Sequence, residues 1–152
     1  MEPPVTRAGN ADPAELISAF EAVVRANAVL VRQLSAGAGV HENALRALVL
    51  IDDTGYSTPT EVAGYLGLTS GAVTNMVDRM VAAGLVERAP NPNDRRGSLL
   101  RLTSEGDAVV GRYRQRYADL LTAVDDTHDG DLASLLSDLA TSLYEQAGDA
   151  EG

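Results

Sequence analysis

Between Thr58 and Leu102 the rhythm of apolar residues changes once, and that change limits what the chain can fold into. Up to Met80 apolar residues recur in steps of three and four: Val62, Ala63 and Leu66, then Val73, Met76, Val77 and Met80. That is the repeat of a helix with one buried face. Thr58-Pro59-Thr60-Glu61 opens the first of these helices, with Thr58 as cap, Pro59 at the first helical position and Glu61 able to bond back to the cap. Gly67 stops it, Thr69 caps the next, and that one runs to about Ala83 before Gly84 ends it. From Leu85 the helical period is lost. Leu85 to Arg88 and Ser98 to Leu102 read as short strands. Pro90 to Gly97, with two Pro, two Asn and a Gly, reads as the turn between them. Two short helices are thus followed at once by a β-hairpin.

Longer helices flank this unit. Asp12-Pro13-Ala14-Glu15 is a helix start, and Leu16, Phe20, Val23, Leu30 and Leu34 follow at helical steps until Gly37 and Gly39. His41 to Asp52 makes a second helix with a stripe of Leu45, Leu48 and Val49. Thr103 caps a fifth, whose apolar positions are Val109, Val110, Tyr113, Tyr117, Leu120, Leu121 and Val124. Asp129 to Asp131 break and recap it, and Leu132, Leu135, Leu136, Leu139 and Leu143 line a sixth. The expected fold is mainly α with a small β-hairpin: a mobile tail over 1–11 and one domain over 12–147. In that domain, helices at 12–36 and 104–147 flank a lobe formed by 41–103. So thin a lobe cannot cover the stripes Leu16–Leu34 and Leu132–Leu143, so self-association into a homodimer is expected.

The net charge of −10 opposes nucleic-acid binding at first sight. Its distribution does not. All twelve basic residues are Arg, and Arg79, Arg88, Arg95, Arg96 and Arg101 lie between 69 and 101 with only Asp78, Glu87 and Asp94. That stretch is +2 (five Arg against three acids), and the remainder is −12 (seven against nineteen). Arg also suits bidentate and groove-inserted contacts better than Lys does.

Residues 58–83 have the spacing of a helix-turn-helix, with Gly67-Leu68 at the turn. The exposed side of the second helix carries Ser70, Gly71, Thr74, Asn75, Asp78 and Arg79. Small residues at its start let the backbone approach a phosphate chain, and its N-terminal amides suit an anion. Asn pairs well with adenine, and Arg79 can reach phosphate or guanine. Taken alone, these residues fit an ordinary helical hairpin with a solvated polar face equally well. The hairpin tip adds Asp94-Arg95-Arg96-Gly97. Asp94 can orient one guanidinium by a bidentate pair, and the other can enter a narrow minor groove. A solvated turn with a local ion pair is the alternative for the tip by itself. Together, a helix-turn-helix and a basic hairpin in direct succession make a winged helix.

The segment from about 45 to 110 resembles the MarR family of regulators. The matching residues are Glu61-Val62-Ala63, Leu66, Leu68-Thr69, Val73-Thr74, Val77-Asp78-Arg79, Gly84-Leu85-Val86-Glu87-Arg88, Asp94-Arg95-Arg96, Leu102-Thr103 and Gly106. Met80-Val81 departs from the Leu-Glu found in many members. The resemblance implies a winged-helix lobe that binds double-stranded DNA and a helical lobe that dimerises through the first, fifth and sixth helices. It implies a recognition helix in the major groove, Arg96 as the wing Arg in the minor groove, Asp94 as its orienting partner and Arg95 as a phosphate contact or second groove residue. The partners implied are a pseudo-palindromic operator, a second copy of the chain and a small organic effector bound between the dimerising and DNA-binding parts. Asn27, His41, Arg46 and Tyr56 are the residues placed near the effector cleft.

Other chemistry lacks its residues. With no Cys there is no disulfide framework, thiolate metal site, cysteine nucleophile or sulfur redox switch. His41 and His128 are too few for a zinc site without carboxylate help, and His128 sits in a solvated acidic turn. No nucleophile elbow or phosphate-cradling Gly-Lys loop occurs, so no enzyme, catalytic residue, metal or cofactor is expected. No apolar run approaches a membrane span, and the first residues lack the features of a signal peptide, so a cytoplasmic protein without membrane contact is expected. The rival reading is a helical adaptor that binds protein through its acidic surface and ignores duplex DNA.

Overall fold

The computed structural model describes residues 11–128 and 130–149. The expected tail at 1–11, apart from Ala11, and the break at Asp129 lie outside these residues. Six helices and one hairpin follow in the order α1 (Pro13–Gly37), α2 (Glu42–Thr54), α3 (Pro59–Leu66), α4 (Ser70–Ala82), β1 (Val86–Asn91), β2 (Asp94–Leu102), α5 (Ser104–Thr127) and α6 (Leu132–Asp149). The fold is the one expected, mainly α with a single antiparallel β-hairpin.

Side-chain caps fix the helix starts. Thr58 Oγ1 accepts from the Glu61 amide at 3.2 Å, and Glu61 Oε2 accepts from the Thr58 amide at 2.7 Å, a reciprocal box that opens α3. Thr69 Oγ1 accepts from Ala72 N and opens α4. Asp12 caps α1 through Ala14 N, without a return bond from Glu15. Gly67 (φ 65°) and Gly84 (φ 71°) hold the left-handed turns that end α3 and follow α4, where a side chain would be strained.

The core lies inside the winged-helix lobe. Leu45, Leu48 and Ile51 of α2 meet Val62 of α3, Val73, Val77 and Met80 of α4, Leu100 of β2 and Val109 and Val110 of α5. Ser57, between α2 and α3, exchanges two backbone hydrogen bonds with Leu100, at 3.1 and 2.8 Å, and so adds a third short strand segment at the base of the hairpin. By contrast, among the described residues none of α6 is buried in the single chain, and Leu16, Ile17, Phe20 and Val23 of α1 are exposed.

The hairpin is longer than its sequence suggests. Strands run to Asn91 and restart at Asp94, so Arg95 and Arg96 stand on a strand and not in an eight-residue turn. Side chains supply the missing turn geometry: Asn91 Oδ1 accepts from Asn93 N at 3.0 Å, and Asp94 Oδ1 accepts from Arg96 N at 2.9 Å. An irregularity between Pro90 and Asn91 absorbs the proline, tolerable because β1 is an edge strand.

Candidate nucleic-acid interface

Ser70, Gly71, Thr74, Asn75 and Arg79 are all exposed on α4, as the helical spacing requires. The Thr74 hydroxyl donates to the Ser70 carbonyl at 2.9 Å, which leaves its lone pairs free to accept. A Cβ added at Gly71 would meet nothing in the protein, so packing does not account for that glycine and the space beside it is open.

Asp94, Arg95 and Arg96 are exposed at the hairpin tip. Asp94 does not grip a guanidinium, as the sequence suggests. Its carboxylate folds back onto the Arg96 amide, because a residue two positions on is in reach of an Asx turn. Asp94 thereby sets the backbone that presents Arg96. Among the described residues, Arg79, Arg95 and Arg96 have no ion-pair partner, whereas Arg88 is bound to Asp78 at 2.8 Å. Free guanidiniums therefore lie on α4 and at the tip of the wing.

The four effector candidates do not converge. Asn27 accepts a hydrogen bond from the Tyr117 hydroxyl at 2.5 Å, between α1 and α5. Arg46 lies over the ring of Tyr65, 5.5 Å from its centroid. Tyr56 is exposed. Only His41 of the four lines a cavity of about 540 Å³, and its Nδ1 also caps α2 by accepting from Asn43 N. Loop residues Gly39 and Val40 and the α4 residues Met76 and Met80 form other walls, with Asn75 and Arg79 at the same cavity. From their helical spacing, Met76 and Met80 read as core residues alone. Their spacing of four on the helix that bears Asn75 and Arg79 was the available signal.

Residues 38–97 match the family model described as the MarR family. Over that segment the chain resembles the MarR family. The multiple antibiotic resistance protein MarR of Salmonella typhimurium is 42% identical over 71 residues, 47% of this chain and 49% of that protein. The chain spans about half the length, or less, of the first curated relatives it matches. A mutant MarR from E. coli, solved in complex with operator DNA, is similar over 88% of this chain and 99% of that one (29% identity, TM-score 0.60). RV1404 from Mycobacterium tuberculosis is similar over 95% and 99%, at 25% identity and a TM-score of 0.71. These likenesses extend beyond the winged helix into the flanking helices.

Proposed function

We propose that the chain is a homodimeric, sequence-specific duplex-DNA-binding regulator of transcription, a ligand-responsive repressor that acts in the cytoplasm. The observation that supports this best is the set of free guanidiniums of Arg79, Arg95 and Arg96, spread over the exposed face of α4 and the adjoining wing. In an acidic chain these charges have no structural duty, and a phosphate backbone is the partner that uses them. Asn75 and Thr74 read base edges in the major groove, and Arg96 enters the minor groove. The MarR–operator complex is a precedent in a similar chain.

The second copy covers the apolar side chains left exposed on α1, α5 and α6, among them Phe20, Leu121, Leu136 and Leu139. The small organic effector occupies the cavity between the start of α2 and α4. Because Asn75 and Arg79 border that cavity, a bound effector and the duplex make competing demands on the same side chains. The test is selection from a pool of random-sequence duplexes with the full chain, followed by footprinting. Enrichment of a two-fold symmetric site supports the reading. A pool that stays unenriched at low salt removes it.

A further inference from the structure

Among the described residues, Asp78 and Arg88 form the one ion pair on the face just described. Asp78 is the only acid in α4. It stands four residues after Thr74 and three after Asn75, so it shares their side of the helix. A bare carboxylate there would repel phosphate. Arg88 of β1 reaches across to it: Nη2 donates to Asp78 Oδ1 at 2.8 Å, and Nη1 donates to Ser98 Oγ of β2 at 3.3 Å. One planar guanidinium therefore ties both wing strands to α4 and cancels that helix's negative charge. Its donors point at Asp78 and Ser98, whereas those of Arg95 and Arg96 have no ion-pair partner.

We propose that Arg88 is a positioning residue for duplex binding, tying the wing to the recognition helix through Asp78 and making no phosphate contact of its own. The proposal rests on the DNA-binding reading above. The distance from wing tip to α4 decides whether Arg96 and Asn75 meet adjacent grooves at the same time, so a loosened wing loses affinity without losing a phosphate contact.

The experiment uses the full chain and the duplex it selects. Arg88→Gln should weaken binding about fivefold per wing, the upper end for one exposed ion pair. The slope of log affinity against log salt should stay at its wild-type value. Asp78→Asn should also weaken binding, although it removes a negative charge, and the double variant should bind as Arg88→Gln does. A slope flattened by about one unit per lost contact, or tighter binding by Asp78→Asn, overturns the proposal and makes Arg88 a phosphate ligand. A second readout needs no DNA. The chain has no Cys, so spin labels attached through Ala82→Cys and Asn93→Cys are the only ones present. With labelled protein diluted in unlabelled copies, the distance distribution should broaden when either Arg88→Gln or Asp78→Asn is added. An unchanged distribution overturns the tie. Wild-type protein that binds no duplex refutes the DNA reading, while the label distances still decide whether the wing is held by Arg88.

Discussion

No Cβ fits between the Cα of Gly106 and the carbonyl oxygen of Leu85. The close approach is held by Thr103, whose amide donates to that same carbonyl at 3.1 Å and whose hydroxyl donates to Gly84 O at 2.6 Å. The N-terminus of α5 is thereby fixed to the end of the α4–β1 turn, where the helical lobe meets the winged helix. Gly106→Ala should destabilise the fold by about 1–3 kcal/mol, the range for forcing an extra methyl into a packed contact. Chemical denaturation of wild type and variant checks it, and equal midpoints would show that the junction yields at no cost.

A second junction is electrostatic. Arg114 of α5 donates to Asp52 Oδ2 at 2.7 and 3.0 Å and to Asp53 Oδ1 at 2.6 Å, at the end of α2. The Asp53 and Asp52 carboxylates raise the Arg114 guanidinium above its ordinary pKa. All three side chains face water, so the gain is small. Arg114→Met should cost about 1 kcal/mol at low salt and less at high salt, because screening weakens the lost attraction. A loss of equal size at both salt levels would assign the effect to packing.

The helices and their caps were legible because each depends on neighbours in sequence. Thr58 with Glu61, Thr69 and Thr103 all cap as their spacing suggests. Pairings set by tertiary structure were not legible. Nothing local marks Ser57 as a strand partner of Leu100, or Asp78 as the partner of Arg88 ten residues on. The turn residues at 90–97 misled in a specific way. Asn91 and Asp94 tighten the loop with their own side chains, which lets the strands run further than the prolines suggest. The surroundings of the effector candidates were not legible for a related reason. Asn27 and Arg46 have satisfied partners in Tyr117 and Tyr65, on other helices that sequence spacing does not reveal.

Tyr117 gives a pH-dependent expectation. Burial, with a smaller effect of neighbouring Tyr113, pushes its phenol from 10.0 up to about 12. Between those values the folded chain keeps a proton that the unfolded chain has released. Stability should therefore fall as pH rises through that window, and the contribution is fully present below it. Tyr117→Phe should make the fall shallower. Urea midpoints across pH 10 to 12 for the two proteins measure this, and parallel curves would mean that Tyr117 ionises as an exposed tyrosine does.

Assembly follows from the uncovered helices. Leu135 is 60% exposed and Phe20 40% exposed in the single chain, values that a lone folded chain in water has no reason to keep along two long helices. Light scattering at micromolar concentration should give twice the chain mass of 15.9 kDa. Leu139→Glu, which places a charge on the α6 stripe, should shift the mass toward one chain. A wild-type monomer would contradict the dimer.

The wing and the recognition helix should fail in different ways. Asn75→Ala should relax base preference at one position in each half-site, at about 1–3 kcal/mol per half-site. Half-sites should lie about one helical turn apart. Arg96→Ala should weaken binding to all duplexes and lower the salt slope by about one unit for each lost contact. Both side chains are exposed, so neither variant should unfold, and circular dichroism checks that. The most direct measurement is a salt titration of binding to the selected duplex by wild type and Arg96→Ala. A weaker, flatter titration for the folded variant is the predicted result. Identical affinity and slope would take the wing out of the interface and contradict the account at its centre.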